Sequence, residues 1–416
     1  MKKDKAIIFV YGDWKGMDQP LLIGKLVAHQ AKGKKAFSFE YDPSWINSQE
    51  PCLLDPGIQF FSGSYFARVD ENFGEFLDSI PDTWGRTLMK RREAQEAREE
   101  GRKPNKLFEV DYLLGVYDRT RMGGLRFKEE PDGVFLDDDH NKPTPPWSEI
   151  RELQFAAKLL EDKERDFNKA WLNVLIAPGS SLGGARPKAN VLDRSENLWI
   201  AKFPSKNDTV DKGAWEYLAY KLAVNSGIKM APCKLEKIHG PYHTFFTKRF
   251  DREGHIRIHF SSAMTMTGYN ENILRDKTAS YLDIVEFISA NGSNVDAELK
   301  QLWRRIVFNI AISNTDDHLR NHGFVLTPRG WELSPAYDLN PSIDKNHLSL
   351  NIDEADGALD LRLAKQVGAY FRLTDAEMES IILEVLSSVS HWRNVADEIG
   401  IPRVEIEMMR PAFWQQ

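Results

Sequence analysis

The sequence predicts an α+β chain of two lobes, a β-rich amino-terminal half followed by a helical half, with a cleft between them. Three observations lead there. Up to about residue 250, short apolar runs rich in β-branched and aromatic residues alternate with Gly, Asp and Pro turn clusters. Beyond Ser280 the apolar residues fall three and four apart, as on helices. The composition, 42% hydrophobic, 28% charged and 11% aromatic over 416 residues, suits a folded protein of two or three packed units and excludes a disordered or fibrous chain.

The elements follow in chain order. Residues 6–11 and 35–41 read as strands. Residues 87–102 read as a helix, because no proline and only Gly101 interrupt them. Lys90, Arg91, Arg92, Glu93, Glu96 and Glu99 mix both signs, the pattern of a solvated face rather than a nucleic-acid patch. Residues 132–147 combine acids with three prolines and predict an exposed connector near a boundary. Lys188–Leu192 and residues 198–203, joined by Asp193-Arg194-Ser195-Glu196-Asn197, predict a hairpin, and residues 242–250 a further strand. Leu282, Val285 and Ile288 form one helical stripe, Leu299, Leu302, Trp303, Ile306, Ile310 and Ala311 a longer one, and residues 374–395 supply more helix. There is no internal repeat.

Lys and Arg total 55 against 62 Asp and Glu, a net charge of −7, which argues against a chain that coats nucleic acid unaided. Two cysteines, Cys52 and Cys233, are too few for a disulfide framework or a structural zinc site, as expected of thiols in a reducing compartment. The apolar run at 6–11 ends at Gly12-Asp13, too short for the core of a signal peptide, and no stretch approaches the ~20 apolar residues of a membrane span. A cytoplasmic protein without membrane attachment is expected.

Four segments hold chemistry-bearing residues. In the run from Pro178 to Lys188, glycines allow backbone N–H groups near a phosphate, and Arg186 and Lys188 add positive charge. The run fails as a Walker A loop, because Ala185-Arg186 follow Gly184 where Lys-Ser/Thr are needed, and a plain surface turn stays open. Gly179-Ser180-Ser181-Leu182-Gly183 also fits the nucleophile elbow of serine hydrolases, with Ser181 as nucleophile, but a strand follows where that elbow needs a helix. In the second segment Lys202 shares a strand face with Leu198 and Ile200, and a lysine there needs an anionic partner unless it reaches water. Glu216, on a helix 14 residues on, would give the lysine–glutamate pair with which kinases hold ATP phosphates. In the third, Asp316 and Asn321 stand five apart, as in the kinase catalytic loop. Turn and capping chemistry, or a metal pair of His318 and His322, are the alternatives there. In the fourth, Asp338 lies among apolar neighbours, and with Asn321 it supplies the hard oxygens that Mg2+ prefers.

Taken together these runs resemble the HipA family of bacterial serine/threonine kinase toxins. The motifs are Phe76-Leu77-Asp78-Ser79-Ile80-Pro81-Asp82-Thr83-Trp84-Gly85-Arg86, Met122-Gly123-Gly124-Leu125-Arg126-Phe127, Gly183-Gly184-Ala185-Arg186-Pro187-Lys188, Thr247-Lys248-Arg249-Phe250-Asp251-Arg252, Thr315-Asp316-Asp317-His318-Leu319-Arg320-Asn321 and Tyr337-Asp338. The resemblance implies a divergent two-lobed kinase fold: an extra N-terminal subdomain over 1–110, an N-lobe over 111–250 and an all-helical C-lobe over 251–416. It implies ATP and Mg2+ as cofactors, with Gly183, Gly184, Ala185, Arg186, Pro187 and Lys188 on the phosphates and Lys202 on the α/β-phosphates. It further implies Lys248, Arg249 and Phe250 along the adenine, His318 and Tyr337 beside the nucleotide, Asp316 as catalytic base, and Asn321 and Asp338 on the metal. Ser181, or its neighbour Ser180, would be autophosphorylated. A HipB-like helix-turn-helix antitoxin would be the partner and would make the operator DNA contact. The substrate would be a translation component such as an aminoacyl-tRNA synthetase. Lys248 stands where the family usually has Glu.

Overall fold

A computed structural model describes residues 5–31, 34–48, 52–68, 72–138, 144–161, 175 and 184–414. The chain divides into two compact units, one of Met1–Ala201 with Asp251–Ser261, the other of Lys202–Phe250 with Ser262–Gln416.

The first unit is built on an antiparallel sheet. Strands β1 (Lys5–Gly12), β2 (Leu21–Ala31), β3 (Lys34–Tyr41), β4 (Ser64–Phe66) and, after helix α1 (Thr83–Glu99), β5 (Leu125–Lys128) take the order β4-β3-β2-β1-β5. Ile8 and Val10 on β1 and Phe37 and Phe39 on β3 are buried in the period-two pattern of a half-buried sheet, whereas the buried Ile23 and Leu26 on β2 stand three apart across a register shift in its pairing with β1. Helix α1 is capped by Asp82, whose Oδ1 accepts from the Gly85 N–H at 2.8 Å. It starts earlier than its charge run suggests, because Trp84, Leu88 and Met89 bury one face of its first turns. Helix α2 (Ile150–Glu161) buries Leu153, Ala157 and Leu160. Strands β6 (Lys188–Leu192) and β7 (Leu198–Lys202) neighbour each other as expected, and their turn is pinned by Asp193, which accepts from Ser195, Asn197 and Trp199.

The two units do not follow chain order. The segment 111–250 does not stay together: β5 pairs with β1, which ties its beginning to the first sheet, whereas the residues from Lys202 belong to the second unit. Nor does the second unit take everything from residue 251 on. Residues Asp251–Ser261 return to the first unit, where Asp251 accepts from the Gly123 N–H at 2.9 Å, Arg252 lies 2.6 Å from Asp251, and Arg257 lies 3.0 Å from Asp118. These charges are buried, so they must be satisfied where opposite charge is available.

The second unit contains helix α3 (Lys212–Asn225), the antiparallel hairpin β8 (Cys233–Glu236) and β9 (Thr244–Lys248), and helices α4 (Tyr281–Asn291) and α5 (Val295–Ala311). A second hairpin follows, β10 (Gly323–Thr327) and β11 (Gly330–Leu333), then helices α6 (Asp375–Ser390) and α7 (Trp392–Ile399). The hairpin means that the carboxy-terminal half is not all helical; Phe324, Trp331 and Leu333 bury one of its faces, and Gly330, at φ +127°, makes its turn. Capping boxes at Ser280 with Asp283 and at Thr374 with Glu377 start α4 and α6. Along α5, Leu299, Leu302, Trp303, Ile306 and Ile310 are buried, as the stripe predicts, and Arg304, Arg305 and Asn309 are buried with them. Among the described residues, no helix is long and apolar enough to cross a membrane.

Candidate functional site

In the second unit Lys202 follows the buried residues Leu198–Ala201 at the end of β7. Its Nζ lies 2.6 Å from Glu216 Oε1 on α3 and 2.7 Å from Asp338 Oδ1. The lysine–glutamate pair expected from the sequence is therefore formed, with Asp338 added. Burial alone would lower the pKa of the ammonium, but the carboxylates of Asp338 and Glu216 outweigh it and hold the pKa above the ordinary lysine value. Lys202 is a fixed cation. Asp338 sits at φ +59°, in the left-handed region that costs most non-glycine residues energy and that recurs at functional sites. Asn340 Nδ2 also donates to Asp338 Oδ1, at 3.2 Å.

Helix α5 runs out at Ala311 into a turn that presents the expected Asp316 and Asn321. The two neighbouring aspartates differ completely in surroundings. Asp317 is buried, and its Oδ2 accepts from the Tyr281 hydroxyl, from Asn309 Nδ2 at 2.9 Å and from His322 Nε2 at 2.8 Å. Asp316 is exposed, and its backbone carbonyl accepts from Asn321 Nδ2 at 3.1 Å. With its nitrogen used in this way, the Asn321 amide keeps its oxygen as an acceptor. That oxygen and the Asp338 carboxylate are hard donors, the chemistry that suits Mg2+.

The third and fourth sequence segments come together. The Tyr337 hydroxyl donates to the Arg320 carbonyl at 2.8 Å, and the Asn340 N–H donates to Asn314 Oδ1 at 3.2 Å. Asp338 thus joins Lys202 on one side and the segment next to it joins the Asp316 turn on the other. The Tyr337 ring stacks on Phe250 with centroids 5.8 Å apart and planes 27° apart. Lys248 is anchored through its N–H to the Pro232 carbonyl at 2.8 Å, and Arg249 is buried. His318 is half-buried, and its Nδ1 has no hydrogen-bond partner among the described residues. His322 gives its Nε2 to Asp317 at 2.8 Å, and its Nδ1 has no hydrogen-bond partner among the described residues. No cluster of three or more His, Cys, Asp or Glu suited to a metal occurs among the described residues.

Of the glycine-rich run, the described residues Gly184–Lys188 belong to the first unit. Ser180, Ser181 and Gly183 lie outside the described residues. Gly184, at φ +107°, and Ala185 are exposed, Arg186 is half-buried and Pro187 is buried. The Lys188 side chain, 2% exposed, is turned to Asp82 Oδ2 at 2.6 Å, and Trp84 Nε1 donates to the Lys188 carbonyl at 3.0 Å. Sequence reasoning missed Asp82 as that lysine's partner, Asn340 beside Asp338, and the quartet of Tyr281, Asn309, Asp317 and His322. The only signal for the quartet was the doubled aspartate, which does not say which carboxyl is buried.

Residues 180–393 match the HipA-like C-terminal domain family. The serine/threonine-protein kinase toxin HipA of Shewanella oneidensis is 25% identical over 211 residues, 42% of this chain and 47% of that protein. A putative kinase of Haemophilus influenzae is 25% identical over 182 residues, 38% of this chain and 52% of that one. The chain therefore spans about half the length of the curated relatives it matches. A solved complex of the Shewanella oneidensis HipA with HipB and its operator DNA superposes with a TM-score of 0.62 at 19% identity, covering 94% of this chain and 93% of that one. The likeness of fold extends over almost the whole molecule.

Proposed function

This chain belongs to the HipA family, whose C-terminal domain it matches over residues 180–393, and on that premise we propose that it is an ATP- and Mg2+-dependent protein serine/threonine kinase, the toxin of a toxin–antitoxin pair. The observation that supports this best is the Lys202 ammonium clamped between Glu216 and Asp338, with the Asp316–Asn321 turn tied to the same stretch of chain. Phosphoryl transfer asks little covalent work of a protein and much positioning and charge. Lys202 would neutralise the α/β-phosphates. The exposed carboxylate of Asp316 would take the proton of the substrate hydroxyl as its oxygen bonds to the γ-phosphorus and the bond to ADP breaks. Asn321 and Asp338 would hold Mg2+, which when bound neutralises charge on the phosphate oxygens.

Lys248, Arg249 and Phe250 would border the adenine, with His318 and Tyr337 beside the nucleotide. Residues 183–188 would meet the phosphates chiefly through backbone N–H groups, since the Lys188 ammonium is committed to Asp82. Ser181 or Ser180 would be the autophosphorylation site. A HipB-like antitoxin is the partner proposed, in line with the HipB and operator DNA bound by the structural relative. A translation component such as an aminoacyl-tRNA synthetase is the proposed substrate class.

The test pairs binding with transfer. An ATP analogue with Mg2+ should raise the melting temperature of wild type but not of Lys202→Met, and γ-labelled ATP should pass its phosphate to protein. Binding without transfer would leave an antitoxin-bound repressor subunit instead. Labelling of Ser181 by a fluorophosphonate in the absence of ATP would replace the kinase with a hydrolase.

A further inference from the structure

We propose that Asp317 and His322, backed by Tyr281 and Asn309, are positioning residues that present Asp316 and Asn321 for phosphoryl transfer; this rests on the kinase reading above. A carboxylate at 1% exposure is costly unless it is fully paired. Here one oxygen, Asp317 Oδ2, receives three donors: the Tyr281 hydroxyl, Asn309 Nδ2 at 2.9 Å and His322 Nε2 at 2.8 Å. An acceptor-only partner assigns the proton of His322 to Nε2.

The three donors come from three elements. Tyr281 opens α4, Asn309 lies in the last turn of α5, and His322 immediately precedes β10. One buried carboxylate thus fixes the middle of the turn against every element that bounds it. The His322 ring also packs edge-on against Tyr281, with centroids 5.6 Å apart at 83°. Asp316 and Asn321 are the chain neighbours of Asp317 and His322, so holding the inner pair sets where the outer pair emerges. Asn309 extends the network: its Oδ1 accepts from Asn314 Nδ2 at 3.1 Å, and Asn314 Oδ1 accepts from the Asn340 N–H at 3.2 Å, two residues beyond Asp338. The network therefore reaches the turn and the Asp338 segment alike.

Phosphate transfer would be measured for wild type, Asp317→Asn, His322→Leu and His322→Gln, together with hydrogen exchange of residues 313–322. Displacing reacting groups by about an ångström costs on the order of 10²-fold in rate. Asp317→Asn and His322→Leu should therefore lower kcat by about 10²-fold, with KM for ATP changed less than about threefold. His322→Gln keeps an N–H for Asp317 and should recover to within about tenfold of wild type. Equal losses in His322→Leu and His322→Gln, an unchanged kcat, or a loss confined to KM would each overturn the proposal. Should Asp317→Asn fail to fold, the two His322 variants decide it. A wild type that transfers no phosphate would sink the kinase reading, and exchange then decides for the network: faster exchange confined to 313–322 in His322→Leu supports it, unchanged exchange overturns it.

Discussion

At Asp317 a carboxyl group is surrounded by protein, and burial by itself would raise its pKa. The His322 ring, its hydrogen bond and that of the Tyr281 hydroxyl outweigh burial and hold the group below the usual carboxylate range. A carboxylate whose folded pKa lies below its unfolded one contributes stability that is fully present above about pH 4 and is lost as pH falls through the folded value. Asp317→Asn removes that contribution. Its unfolding free energy in urea should therefore vary less steeply than that of wild type between about pH 4 and pH 2; equal slopes would contradict the assignment. At this scale the sequence was informative about chemistry and, beyond the Lys202–Glu216 pair, silent about pairing. Lys202, Asp316, Asn321 and Asp338 could be singled out because residue type and order along the chain restrict what they can do. Asp317 could not be told from Asp316, since its partners lie at 281, 309 and 322 and only folding unites them. Lys188 was visible as a basic residue in a glycine-rich run, whereas Asp82, 106 positions earlier, was not.

Helix α5 connects residue to fold. Its apolar stripe was legible because residues three and four apart share a face, and the structure buries that face. Ile306, fully buried at its centre, should cost about 2–5 kcal/mol when truncated to Ala, through lost transfer energy and the cavity left behind. Chemical denaturation reads this directly; a loss below about 1 kcal/mol would mean that the helix is packed less tightly than described. Strand β2 was not anticipated. Leu21, Leu22, Ile23, Leu26 and Val27 do not alternate cleanly, and Gly24 breaks the run. The structure explains the glycine: a Cβ there would come within 2.3 Å of the Glu40 carbonyl oxygen on β3. Close approach to a neighbouring strand, rather than turn chemistry, requires glycine at that point. The same limit applies to α1, whose charges concealed the buried face of Trp84, Leu88 and Met89.

For the whole molecule, the order of elements was legible and the partition was not. Strands first and helices later did predict an α+β chain, and the HipA resemblance named its family. The two units depart from chain order where buried polar contacts hold distant residues together: the Gly123 N–H donates to Asp251, Arg252 donates to the Gly123 carbonyl, and Arg257 pairs with Asp118. The Lys202 to Asp338 contact likewise spans 136 positions, and only the motif order hinted at it. The proposed activity depends on that convergence, with Asp316 as the group that takes the proton. Intact mass spectrometry tests it most directly, using protein first stripped of phosphate and then incubated with ATP and Mg2+. Wild type should gain the mass of a phosphoryl group, located at Ser181 or Ser180 by peptide mapping, and Asp316→Asn should gain none. No mass gain in wild type, or an equal gain in Asp316→Asn, would contradict the account.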